Sequence, residues 1–185
     1  MDRSVPGWFG REVIAIRSTR SSDLVVIQRI ELAAGEPFRD IGMADIADHP
    51  VPTVAVLAEY QRAGRSWVAV DGSDQPIAFA LVKIIDGRAH IEQVSVDPAY
   101  ARRRIGRDLI DHVESWAAGL SLSALTLTTF RDVEWNGPYY GRLGFSVLAP
   151  AGCCPELEAL MVEEAAHGLD PAQRIAMIRP IHRSR

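Results

Sequence analysis

The stretch VDPAYARRRIGRDLI, Val96 to Ile110, sets Arg102, Arg103, Arg104 and Arg107 at the head of a segment with helical periodicity. A helix begins with unpaired backbone N–H groups and the positive end of its macrodipole, which disfavours cations and favours anions. The run is therefore either a solvated charged face or an anion site in which a phosphate supplies the missing counter-charge. From Ile105 onward, Leu109, Ile110, Val113, Trp116 and Ala117 form an apolar stripe at helical spacing that ends at Gly119.

Upstream of this junction, SWVAV, IAFALVKII and AHIEQVSV read as three strands of an antiparallel meander, joined by turns with Asp-Gly at their tips. Further upstream, a strand through Val13, Ile14 and Ile16 precedes a helix capped by SSDL and closing at Gly35. A loop from Glu36 to Pro52 then leads to a second helix, TVAVLAEYQRAG, with Gly64 as its stop. Downstream come the strand SALTLTT, a short helix from Pro138 to Gly144, the strand FSVLA, a helix from Pro155 to Gly168 and the strand RIAMIRP. The order β α α β β β α β α β α β predicts an α/β fold. Its sheet is mixed and mostly antiparallel, with helices on both faces.

The chain has 185 residues, 48% of them hydrophobic and 24% charged, which suits one globular domain over residues 1–185. Its net charge of −4 argues against a nucleic-acid-coating protein, since a continuous basic face with stacking aromatics is missing. No apolar run is long enough to span a bilayer, and the N-terminus lacks the form of a secretory signal, so no membrane partner and a cytoplasmic setting are expected. Cys153 and Cys154 are adjacent, which suits neither an unstrained disulfide nor a metal knuckle. The five histidines are scattered, so no metal is expected.

The segment HIEQVSVDPAYARRRIGRDLIDHVESWA, followed by LTLTTFRDVEWNGPYYGRLGFSVL, resembles the GNAT superfamily of acetyl-CoA-dependent N-acetyltransferases. The resemblance rests on two signatures: a strand with a V-D-P-like turn and a Q/R-x-x-G-x-G/A loop, and a downstream Tyr-x-x-x-Gly-Phe. Tyr140, Gly144 and Phe145 match the second in full. The loop departs from the first: Ala101 stands where Gln or Arg is usual, Arg104 where the first Gly is usual, and Gly106 alone matches. A Cβ at position 104 is compatible with ordinary helical angles, so the expectation is a retained amide cradle with the Arg104 side chain turned away.

The resemblance implies acetyl-CoA as co-substrate, its pyrophosphate held by Arg102, Arg103, Arg104, Ile105, Gly106 and Arg107. Val94, Ser95 and Val96 would hold the pantetheine through backbone groups, and Asn136 would add a bond. The implied reaction is direct attack of a primary amine, on a small molecule, in a ternary complex. Glu92, placed with Val94 and Val96 by strand alternation, is the candidate base and Tyr140 the donor to the departing thiolate; His90, four residues from Val94, is the reserve base. Tyr139 is read as packing. The acceptor site is expected from Phe38, Arg39 and Met43 on one loop and Glu134 and Trp135 on another. The alternative is a non-catalytic acyl-CoA-binding sensor or regulatory module. A homodimer is common among such proteins, but the sequence names no interface.

Overall fold

The computed structural model describes residues 14–149, 152 and 154–181. Val13, Cys153 and His182, which entered the expectations above, lie outside the described residues. The elements are β1 (Ala15–Ser18), α1 (Leu24–Gly35), α2 (Ala44–Ala47), α3 (Val54–Arg62), β2 (Ser66–Val70), β3 (Pro76–Ile85), β4 (Arg88–Val96), α4 (Ile105–Gly119), β5 (Ala124–Phe130), α5 (Gly137–Arg142), β6 (Ser146–Val147), α6 (Pro155–Ala166) and β7 (Arg174–Pro180). The expected order holds, with one addition. The loop after α1 winds into a 3-10 turn over Glu36–Ile41 and the short α2. The left-handed residue that ends this run is Gly42 (φ 78°); Gly35 keeps right-handed angles and carries the chain onward.

The strands form one mixed sheet in the order β1-β2-β3-β4-β5-β7-β6. Neighbours are antiparallel except β4 and β5, which are parallel. Asp86 (φ 51°) and Gly87 (φ 70°) are both left-handed, the geometry that a tight β3–β4 hairpin requires. All five residues of β2 are buried, because helices cover both faces of the sheet. On one face α4 packs Ile105, Leu109, Ile110, Val113 and Ala117 against Ala78, Ala80, Val82, Ile91 and Leu127. On the other, Leu24, Ile27 and Ile30 of α1 and Leu57 of α3 cover Val68, Phe79 and Leu81. Each fully buried aliphatic contributes about 1.5–3 kcal/mol.

Two irregularities position the site. Pairing between β4 and β5 covers Ala89–Ile91 with Leu125–Leu127, and beyond Ile91 no β4–β5 register continues. At that point β4 carries a bulge: Val82 opposes Ile91 while Leu81 opposes Gln93, so Glu92 is the extra residue. A bulge reverses the phase of alternation. Ala89 and Ile91 face α4, and so do Val94 and Val96. Glu92 therefore leaves that face, contrary to the expectation from plain alternation, and lies with Lys83 toward the opposite side. The same phase change separates His90 from Val94.

Candidate active site

The split between β4 and β5 opens a cleft of about 990 Å³, walled by β4, the first turn of α4, the end of β5, α5 and the inner side of α1. Val94, Ser95 and Val96 line it, together with Arg102, Arg103, Arg104, Ile105 and Gly106. Arg102 (φ 64°) and Arg104 (φ 67°) are both left-handed. The expectation of ordinary helical angles at Arg104 thus fails: this position has the conformation that favours glycine, and an arginine occupies it at a steric cost of about 1–2 kcal/mol. The left-handed turn has a consequence at the helix end. Arg104 makes no side-chain cap, and the first helical bond is that of the Asp108 N–H to the Arg104 carbonyl, so the preceding amides of α4 lack helical partners.

Gly106 lets Tyr139 approach the helix closely. A Cβ there would lie 3.1 Å from the Tyr139 hydroxyl and 3.7 Å from Val96. Tyr139 consequently lines the cleft beside the helix end, which its reading as packing had missed. Arg103 stacks over Tyr100 with its guanidinium carbon 5.0 Å from the ring centre. Arg107 is brought elsewhere: it points off the outer side of α4 and pairs with Asp111 at 3.4 Å.

Across the cleft, α5 is pressed against the end of β5. A Cβ on Gly137 would meet the Arg131 carbonyl at 2.4 Å, so only glycine allows this packing. Asn136 Oδ1 accepts a hydrogen bond from Thr129 Oγ1 at 2.7 Å, tying the start of α5 to β5. Tyr140 packs edge-on against Phe145 and Tyr139, with centroid separations of 5.8 and 5.4 Å. Burial, then Tyr139, push its phenol above the usual range, so it stays protonated at neutral pH. Its hydroxyl has no hydrogen-bond partner among the described residues and the side chain lines the cleft.

Glu92 also lines the cleft, with one carboxylate oxygen 2.9 Å from Lys83 Nζ and the other buried without a hydrogen-bond partner among the described residues. His90 does not line it. Buried in the sheet, its Nδ1 lies 3.1 Å from Thr126 Oγ1. Burial, then the Lys83 and Arg174 charges, bring its pKa down to about 3, and the imidazole is neutral.

Phe38, Glu134 and Trp135 line the far end, where the Phe38 ring packs at a tilt against Phe130, with centroids 5.6 Å apart, and edge-on against Trp135 at 5.5 Å. Arg39 is not with them: it is exposed and paired with Asp48 and Glu36. Met43 does not line the cleft either; its carbonyl accepts from the Ile46 and Ala47 N–H groups at the start of α2.

The sequence reading missed Glu31. Ile27 and Ile30 place this part of α1 against the sheet, and Glu31, one turn after Ile27, continues that inward stripe into the cleft wall. Its Oε2 accepts from Ser95 Oγ at 3.4 Å, and Ser95 Oγ accepts from Gln93 Nε2 at 2.9 Å. The detectable signal was a carboxylate at i+4 from a core isoleucine.

A model of the acetyltransferase (GNAT) family matches residues 30–145, from α1 through Phe145, and so includes the α4 junction and α5. The chain belongs to the GNAT acetyltransferase family. Solved GNAT folds superpose on it at low identity. PaiA N-acetyltransferase from Thermoplasma acidophilum, solved with coenzyme A, has a TM-score of 0.66 and 15% identity over 91% of this chain and 99% of that one. The ribosomal-protein-S18-alanine N-acetyltransferase of Escherichia coli gives 0.62 and 19% over 93% and 96%. N-acetylglutamate synthase from Neisseria gonorrhoeae, complexed with coenzyme A and N-acetyl-glutamate, gives 0.68 and 17% over 92% of this chain and 36% of that one. As in other GNAT folds, the mixed sheet is flanked by helices, with α4 crossing between its parallel strands.

Proposed function

We propose that this GNAT protein transfers an acetyl group from acetyl-CoA to the primary amine of a small molecule, by direct attack within a ternary complex. The observation that carries the reading is the uncapped α4 N-terminus, opened by left-handed Arg104 at the mouth of the β4–β5 split. Those amides, with Arg102, Arg103 and Arg104 around them, suit a pyrophosphate. The solved coenzyme A complexes of PaiA and N-acetylglutamate synthase support the same choice of co-substrate. In this reading the pantetheine runs along Val94–Val96, whose β5 side is free of sheet pairing, and places the thioester near Tyr140.

The cleft has opposite character at its two ends. Arginines gather at the α4 end, whereas Glu31, Glu92, Glu134, Glu163 and Glu164 line the rest, with Lys83 and Arg174 paired to two of them. That distribution favours an ammonium-bearing acceptor. The aromatic group of Phe38, Phe130 and Trp135 offers its carbon skeleton a surface. The reaction then needs a group to take the acceptor's proton and a donor for the leaving thiolate. Tyr140, protonated and without a hydroxyl partner among the described residues, fits the second part. For the first the cleft offers two carboxylates, Glu92 and Glu31.

Calorimetric titration of acetyl-CoA at two salt concentrations tests the cradle. Binding that weakens with salt is the expected result. Absence of binding by the wild type would remove the function, and binding without turnover on any member of an amine panel would favour the sensor reading.

A further inference from the structure

We infer that Glu31, on α1, is the carboxylate that takes the proton from the acceptor's ammonium group, and that Glu92 instead shapes the bulge through its pair with Lys83. The assignment rests on the acetyl-transfer reading above. Three geometric observations support it.

Glu92 is committed. One carboxylate oxygen is held at 2.9 Å from Lys83 Nζ, so a cation already stands beside this group. An acceptor's ammonium group approaching that carboxylate meets the Lys83 charge beside it, and like charges repel.

Glu31 is available and aimed into the cleft. Its Oε2 has one long contact, 3.4 Å from Ser95 Oγ, and Oε1 has no hydrogen-bond partner among the described residues. The Gln93–Ser95 pair orients it from the strand on which the pantetheine is placed. The acceptor nitrogen can thus lie between α1 and β4, within reach of both Glu31 and the thioester carbon.

Among the described residues no cation pairs with Glu31. Burial raises its pKa to about 7, and the Ser95 hydroxyl is the opposing influence. On the elements around it, Lys83 of β3 is paired with Glu92 of β4, and Tyr60 of α3 and His49 beyond α2 also line the cleft. None of these contributes to the shift. A base is most effective when its pKa lies near the working pH.

The proton balance closes. The ammonium gives one proton to Glu31, which later releases it to solvent, and the neutral nitrogen forms the new C–N bond. When the C–S bond breaks, the thiolate takes the Tyr140 proton, and the nitrogen's second proton returns to the Tyr140 oxygen. The sum is amide, free CoA thiol and one released proton.

The test compares wild type, Glu31→Gln and Glu92→Gln on two acceptors, phenethylamine, which is protonated at neutral pH, and aniline, which is not. The expected result is a loss of kcat/KM of about 100-fold or more for Glu31→Gln on phenethylamine, little change on aniline, and an unchanged ratio for Glu92→Gln. Equal losses on both amines would mean a structural role and overturn the assignment, as would a selective loss in Glu92→Gln. If neither amine is accepted, carboxyl carbon NMR of the acetyl-CoA complex decides: a Glu31 midpoint near neutrality supports it and an ordinary glutamate midpoint overturns it. Acetyl-CoA calorimetry on the same proteins separates the two readings. Binding without the selective loss removes only the role of Glu31, whereas no binding by wild type removes the function itself.

Discussion

Lys83 and Glu92 meet at 2.9 Å where β4 has one residue more than its partner strand, so the pair clamps the bulge from the side facing away from α4. Both side chains are about one-third exposed, at 35% and 31%, which limits the value of the pair to about 0.5–1 kcal/mol. The two truncations are nevertheless unequal. Glu92→Gln keeps an oxygen for Lys83 and should cost under about 1 kcal/mol. Lys83→Met leaves a carboxylate whose other oxygen is already buried without a partner, and should cost about 1–3 kcal/mol. Urea unfolding of both variants measures the difference, and equal costs would show that the buried oxygen is solvated.

Arg104 separates conformation from charge. Arg104→Gly removes the left-handed penalty but gives the unfolded chain more freedom, for a net gain of about 0.5–1 kcal/mol. That corresponds to a Tm rise of about 1–4 °C for a chain of this size. Arg104→Ala keeps the penalty and loses the charge, so its Tm should not rise. The two variants should weaken acetyl-CoA binding equally if the side chain contacts the phosphates, and neither should do so if only the amides matter.

Two glycines of α5 should respond in opposite directions. Gly137→Ala drives a methyl into the Arg131 and Phe130 carbonyls, at 2.4 and 3.0 Å, and should cost about 2 kcal/mol or more. Because the displaced helix carries Tyr140, kcat should fall with stability. Gly141 has open space around its Cβ position and helical angles, so Gly141→Ala should stabilise by about 0.5–1 kcal/mol. Thermal melts of the pair check both signs.

Stability should depend on pH through Glu31 and His90 with opposite signs. A carboxyl whose pKa rises on folding, here to about 7 from 4.5, binds more protons in the native state across that window. Its contribution is full below 4.5 and is lost as pH rises through 7. His90, depressed to about 3 from 6.5, acts in reverse: its contribution is lost as pH falls from 6.5 toward 3. Glu31→Gln should therefore be more stable than wild type by about 1–3 kcal/mol at pH 8, with the gap closing toward pH 5. A constant gap in urea midpoints across that range would place the Glu31 pKa in its ordinary position.

The fold was legible wherever one periodicity ran uninterrupted. The stripe from Ile105 to Ala117 and the two Asp-Gly turns identified α4 and the meander, and Tyr140, Gly144 and Phe145 located α5. The faces of β4 were not, because alternation was carried straight through Glu92. A trace was present: the inward apolar residues are Ala89, Ile91, Val94 and Val96, and the three-residue step in the middle is the mark of a bulge. Arg107 and Arg39 were misplaced because nearby acids claim them, Asp111 one turn away along α4 and Asp48 across the α2 turn. Glu31 escaped notice because it lies on a helix, outside both family signatures.

The parallel register of β4 and β5 links features that look separate. A strand running alongside its predecessor in the same direction can be reached only by carrying the chain back over the sheet, and α4 makes that return. The return journey must begin where β4 ends. The mouth of the split and the unshared amides of α4 therefore lie at the same end of β4, joined by the short connection of residues 97–104. Deleting Glu92 would leave that path intact and let Gln93 follow Ile91 in plain alternation, with Val94 and Val96 still toward α4 and Ser95 still toward α1, so the strand would lose its kink and the Lys83 pair but keep its two sides.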